Sequence, residues 1–142
     1  MITTIHCKTG YEGLGEIMTC NSEEWYKQAN FDIAAAINMS ESSTYPYAVF
    51  FCQQAIEKAL KGLYIKKFRK QPDKIHSLVA IAVKLDMLIP NSISATIQLL
   101  NAASISIRYP PDLEELFKIY SQERVQDIIN RTEEVLDWIL RQ

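Results

Sequence analysis

The side chains best suited to proton transfer and phosphate contact in this 142-residue chain are His76 and Arg108, the latter in Ile107-Arg108-Tyr109-Pro110-Pro111. A histidine changes charge near neutral pH and can move a proton to or from a hydroxyl. An arginine carries a planar, permanently charged fork that fits a phosphate. Each has a plainer use as well. His76 can open a helix by bonding nearby backbone, and Arg108 can close one by satisfying terminal carbonyls and the helix dipole. Lys58 and Lys61 form either a positive edge to a cleft at Arg108 or, with Glu57 four residues before Lys61, a salt network. Tyr109 can stack on a base or pack beside its prolines. No Walker-type loop, GxGxxG or Ser/His/Asp order is present, which argues against the common nucleotide enzymes and hydrolases.

The element that must position most of these residues is the run from Tyr47 to Lys61 and on to Phe68. At 100° per residue, Ala48, Cys52, Ala55, Ile56, Ala59 and Leu63 fall on one broad apolar side. Gln53, Gln54, Glu57, Lys58 and Lys61 fall on the other, interrupted by Phe50, Tyr64, Ile65 and Phe68. A helix apolar nearly all round is central in its domain or covered by a partner. Its polar stripe is then partly enclosed, and enclosed polar groups need partners or serve a site.

The other elements follow from caps and periodicity. Asn21-x-x-Glu24 has capping-box form and predicts a first helix to about Met39, with Trp25, Ala29, Ile33, Ala36 and Ile37 at helical spacing. Glu41 to Thr44 reads as a turn, and Pro46 suits the first turn of the second helix. Lys66, Lys67, Arg69 and Lys70 put positive charge at that helix's C-terminal end. Asp73 is the expected cap of a third helix containing Leu78, Ile81 and Leu85. A fourth, rich in Ala and Ser, is predicted from about Ile93 to Ile107. Its small residues are expected to pack closely on the second helix or a second subunit. Tyr109-Pro110-Pro111 stops it. Asp112 to Tyr120 is expected to connect, with at most a short helical turn. Ser121 caps a last helix in which Val125, Ile128, Ile129, Thr132, Val135, Leu136 and Ile139 keep i, i+3, i+4 spacing. These patterns predict an all-α fold, a bundle of about five helices over residues 21–142.

Residues 1–20 hold three of the four glycines and show no helical period. They form an N-terminal extension that packs on the bundle or a partner, or they precede a true start at Met18. His6, Cys7 and Cys20 lack metal-finger spacing, so no metal site is expected there. Cys52 is expected in the core. An odd cysteine count without a secretion signal favours a reducing, cytoplasmic setting. Uncharged stretches such as Ile33–Ser40 and Ser42–Ile56 are too short or too polar to span a bilayer. A net charge of -2 argues against broad electrostatic binding of nucleic acid while leaving room for a local basic site.

The Trp25 helix, the Gln53-Gln54-Ala55-x-Glu57-Lys58-x-Leu60-Lys61 run, His76-x-Leu78 and Arg108-Tyr109-Pro110, in that order, resemble the HEPN family of small helical domains over roughly residues 22 to 140. The resemblance implies an up-and-down bundle, often dimeric. It also implies kinship with metal-independent RNases, in which an Arg and a His with four to six residues between them meet at a dimer cleft. Arg69 and His76 match that spacing literally, but Pro72 separates a helix end from a helix start there. The family's pair lies farther along, at Arg108, and no His follows it, so the standard motif is degenerate. Because the third and fourth helices are neighbours, His76 is the histidine able to approach Arg108. Arg108 and His76 are therefore the candidate catalytic residues, and Lys58, Lys61, Arg108 and Tyr109 the candidate ligand contacts, with no metal or cofactor. The resemblance further implies the toxin-like, nucleotide- or RNA-binding half of a pair with a minimal nucleotidyltransferase. The competing expectation is a non-catalytic dimerisation and docking module. A homodimer is expected in both cases.

Overall fold

Six helices and no strand make up the described residues, 21–110 and 112–142, of the computed structural model. The expectations that fall on residues 1–20 lie outside them.

Helix α1 (Ser22–Glu41) starts where Asn21 accepts a hydrogen bond from Glu23 N at 2.9 Å. Glu24 accepts from Gln28 rather than closing the capping box. A turn with Ser43 at positive φ leads into α2 (Tyr45–Phe68), which carries Pro46 in its first turn. Helix α2 packs against every other helix. Its apolar side, Ala48, Cys52, Ala55, Ile56, Ala59 and Leu63, is buried as its periodicity predicts. Gly62 lets α1 come close: a Cβ there would lie 2.7 Å from the Tyr26 ring and 3.1 Å from Trp25 Cβ.

Residues 69–77 return along α2 and deliver α3 (Leu78–Leu85). The cap of α3 is Ser77, whose hydroxyl accepts from Ala80 N, and not Asp73. Asp73 instead pairs with Lys84 near the far end of α3, leaving Ser77 next to the first helical residue. Asn101 fixes this start from α4 (Asn91–Arg108) by accepting from Leu78 N at 2.9 Å. Helix α4 packs through Ile93, Thr96, Ile97, Leu100, Ala103 and Ile107, while Ala95 and Ala102 are exposed. The large aliphatics hold the i, i+3/i+4 stripe, so most of the small residues are displaced from the close contact expected of them.

The segment after Tyr109 forms a sixth helix, α5 (Leu113–Ile119), because Asp112 caps Glu115 N at 2.8 Å. Ser121 then caps α6 (Gln122–Leu140), whose predicted stripe is buried against α2, α1 and α4. No helix among the described residues is long and apolar enough to cross a membrane.

Candidate functional site

Glu57 is a buried carboxylate on the polar stripe of α2, and three groups converge on it. Lys61 Nζ lies 2.9 Å from Oε1, His76 Nδ1 lies 3.0 Å from the same oxygen, and Gln53 donates to Oε2 at 3.1 Å. Gln54 donates in turn to Gln53 Oε1 at 2.8 Å. Gln53 and Lys61 are buried with Glu57, whereas the His76 side chain is 67% exposed. A carboxylate has no proton to give, so Nδ1–H is the donor and Nε2 is left as the basic nitrogen. Three residues on one helix face thus fix the tautomer and orientation of a histidine from another element.

The lysines have other neighbours. Lys58 Nζ stands 2.7 Å from Asp32 Oδ2, an ion pair that supplies the counter-charge for a buried carboxylate oxygen of α1. Lys61 lies between Glu57 and the Trp25 ring, 5.8 Å from its centroid. Each ammonium is therefore already matched within the subunit. Their main local effect is to neutralise the buried acids beneath the surface.

Arg108 closes α4, and its guanidinium carbon lies 5.9 Å from the centre of the Phe50 ring on α2. Tyr109 is exposed beside it, and Ser106, just before it on α4, shares a 2.8 Å hydrogen bond with Tyr120. Phe50 and Glu57 are seven residues apart, about 10 Å along the α2 axis and within about 20° of the same line. The structure therefore brings Arg108 and His76 to one face of α2 without joining them: His76 bonds Glu57, and Arg108 lies over Phe50. Arg69, the other arginine at motif spacing from His76, is the left-handed C-cap of α2.

Chemically, this face offers an oriented imidazole and, two helical turns away, an exposed guanidinium. The first can exchange a proton, and the second can hold a phosphate oxygen. Among the described residues no group of three or more His, Cys, Asp or Glu side chains stands ready to hold a metal ion. Cys52 is a buried thiol pushed up to about 12, mainly by burial, and is poorly suited to act as a nucleophile. The role of Glu57 as the support of His76 is the feature that sequence spacing did not assign. The available signal was the interval Gln53, Glu57, Lys61, three polar residues four apart within the polar stripe of a helix that is apolar over most of its surface.

A family model described as HEPN domain matches residues 22–142. Among solved structures, the chain is similar to TT1696 from Thermus thermophilus, with 24% identity, a TM-score of 0.74, and coverage of 84% of this chain and 96% of that one. It is also similar to ST0689, described as an archaeal HEPN homologue, with 28% identity, a TM-score of 0.67, and coverage of 84% and 95%. No curated protein matches the chain.

Proposed function

The chain belongs to the HEPN domain family, and on that premise we propose that it is the nucleotide- or RNA-binding, toxin-like half of a pair with a minimal nucleotidyltransferase. The observation that carries this reading is the oriented, solvent-facing His76 on the same α2 face as the exposed Arg108. In the proposal Arg108 holds a phosphate, Tyr109 offers a ring to a base, and Lys58 and Lys61 act indirectly by keeping Asp32 and Glu57 charge-balanced. If the strand is cut, His76 Nε2 removes the proton of a 2'-hydroxyl. That oxygen then bonds to the adjacent phosphorus, and the bond to the 5'-oxygen breaks. The leaving oxygen takes up a proton, giving a cyclic phosphate and a free 5'-hydroxyl, and no metal ion takes part.

The test is incubation of purified protein with a mixed tRNA and mRNA pool in chelator, beside Arg108→Ala, His76→Ala and Glu57→Gln. Cleavage that is lost with Arg108 and His76 and reduced with Glu57 supports an Arg/His site. Binding that depends on Arg108 without any cleavage supports a binding half. Neither binding nor cleavage by folded wild-type protein would overturn the reading.

A specific observation favours the second reading, a dimerisation and docking module. Ile105, Tyr109 and Leu113 are 61%, 81% and 64% exposed and bracket Arg108. An arginine surrounded by exposed apolar side chains has the composition of an interface centre. Under this reading Arg108 contacts a second subunit or the partner protein.

A further inference from the structure

Asn101, in the second half of α4, holds the start of α3 with one end of its side chain and leaves the other end free. Its Oδ1 accepts from Leu78 N at 2.9 Å and from Ser77 Oγ at 3.4 Å. A backbone N–H can only donate, so the amide has one orientation, with Oδ1 towards Leu78 and Nδ2 turned away. Among the described residues no acceptor meets Nδ2, and the side chain is partly exposed. Its two hydrogens are therefore open to solvent beside Ser77, the residue that follows His76.

Two observations separate this amide from one that only supports a helix start. A carboxylate in its place would bond Leu78 N more strongly and would suit the positive end of α3. The chain instead uses a neutral group whose other half is a donor. The surroundings also lack negative charge. Helix α4 holds no Asp or Glu in its 18 residues, and Arg108 is its single charged side chain, in a chain with 17 acids. Glu57, the acid on the facing stripe of α2, is buried and matched by Lys61. An anion approaching Asn101 thus meets donors and no exposed carboxylate of α4.

Position then matters. Asn101 and Arg108 are seven residues apart, about 10 Å along α4 and within about 20° of one line. Phe50 and Glu57 stand in the same relation on α2. The two lines run antiparallel, with Arg108 over Phe50 at one end. At the other end, residues 76–78 are pinned from both helices. Glu57 accepts from His76 Nδ1, Gln53 donates to His76 O at 3.5 Å, and Asn101 accepts from Leu78 N. Two residues of chain span at most about 7 Å, so the imidazole and the Asn101 amide are rooted next to one another. Arg108 stands two turns away from both.

We propose that Asn101 Nδ2 donates to a non-bridging oxygen of the phosphate beside His76, while Arg108 holds another phosphate of the same strand. The proposal rests on the nucleic-acid reading of His76 and Arg108, and it narrows the ligand to a strand with at least two phosphates. A hydrogen bond reaches about 3 Å, so donors about 10 Å apart do not share one phosphate. If the strand is cut, His76 Nε2 takes the 2'-hydroxyl proton, and that oxygen bonds to phosphorus. The bond to the 5'-oxygen breaks, that oxygen takes a proton from water, and the imidazolium returns its proton to the hydroxide left behind. Negative charge builds on the non-bridging oxygens between these events, and the Nδ2–H donor stabilises it. If the strand is only bound, the same hydrogen bond holds the resting phosphate.

The experiment is fluorescence anisotropy of the full-length protein with a labelled single-stranded RNA in chelator, with the cleavage rate followed on the same samples. The key variant is Asn101→Asp, which keeps an acceptor for Leu78 N and removes the donor. It should melt like wild type and bind roughly tenfold or more weakly. Any cleavage should slow by roughly 100-fold. Ala102→Asp adds the same charge one residue along, at an exposed site, without removing a donor, and should change binding far less. Asn101→Asp combined with Arg108→Ala should multiply the two single losses, as independent contacts do. In wild type, the side-chain amide signals of Asn101 in a nitrogen–proton correlation spectrum should shift when RNA is added. That readout holds whether or not a variant folds. Unmoved Asn101 signals, wild-type binding by Asn101→Asp, or equal losses in Asn101→Asp and Ala102→Asp would overturn the proposal and leave the Arg108 reading standing. A double loss no larger than the greater single loss would put both groups on one phosphate and overturn it as well. Absence of RNA binding by wild type would remove the proposed function and this inference together.

Discussion

At the scale of single residues, the molecule is organised by one buried acid. Glu57 balances Lys61 inside the protein and holds His76 at its surface, so the two contacts differ in energy although the distances are alike. Glu57→Ala strands the Lys61 ammonium without its counter-charge, and such breaks cost about 3–5 kcal/mol. His76→Ala removes an exposed partner and should cost about 0.5–1.5 kcal/mol. Urea unfolding of both variants checks this. Comparable small losses would mean that Lys61 reaches water once Glu57 is gone. Cys52 gives a pH prediction. Its thiol stays protonated in the folded state up to about 12, against an ordinary value of 9.0. The unfolded chain therefore releases that proton first as pH rises, so stability is unaffected below pH 9 and falls from there towards 12. Wild type should lose more stability between about pH 8 and about pH 10.5 than Cys52→Ala does, measured by denaturant unfolding at each pH. Parallel losses would show that Cys52 does not contribute.

At the scale of elements, the close approach of α1 and α2 turns on Gly62. In an exposed helix interior, replacing glycine by alanine stabilises by about 0.5–1 kcal/mol. Here the added methyl would sit 2.7 Å and 2.9 Å from two atoms of the Tyr26 ring, and overpacking of this kind costs about 1–3 kcal/mol. The clash wins, so Gly62→Ala should lower the melting temperature. Tyr26→Leu in the same chain should recover part of the loss, because it removes the ring. A rise in melting temperature for Gly62→Ala alone would mean that Tyr26 swings aside without cost. The helices themselves are largely legible from caps and spacing: Asn21, Pro46 and Ser121 stand where their chemistry predicts. The start of the third helix is not, because Asp73 and Ser77 are both good caps, and Lys84 and Asn101 on other turns and helices make the choice. Helix α5 is too short for periodicity to register, and only the Asp112 side chain reveals its start.

At the scale of the whole molecule, exposed apolar side chains gather where α4 ends and α5 begins, with Phe117 extending the row past Leu113. Under the docking reading proposed above, a homodimer would bury this surface. Ile105→Glu with Leu113→Glu should turn a dimer into a monomer of about 16 kDa in sedimentation velocity without loss of helicity, because both side chains point to solvent in the subunit. A wild-type monomer at micromolar concentration would count against the dimer. The all-helical fold, the central place of α2 and the enclosure of its polar stripe are written in the order of residues alone. They follow from which residues recur every three or four positions, and that periodicity is local. The meeting of Glu57 with His76 nineteen residues later, and the resting place of Arg108 over Phe50, emerge only when the helices pack. Those pairings depend on the return path of residues 69–77 and on how α4 lies against α2. Long-range packing sets both, and the spacing of residues along the chain does not encode them.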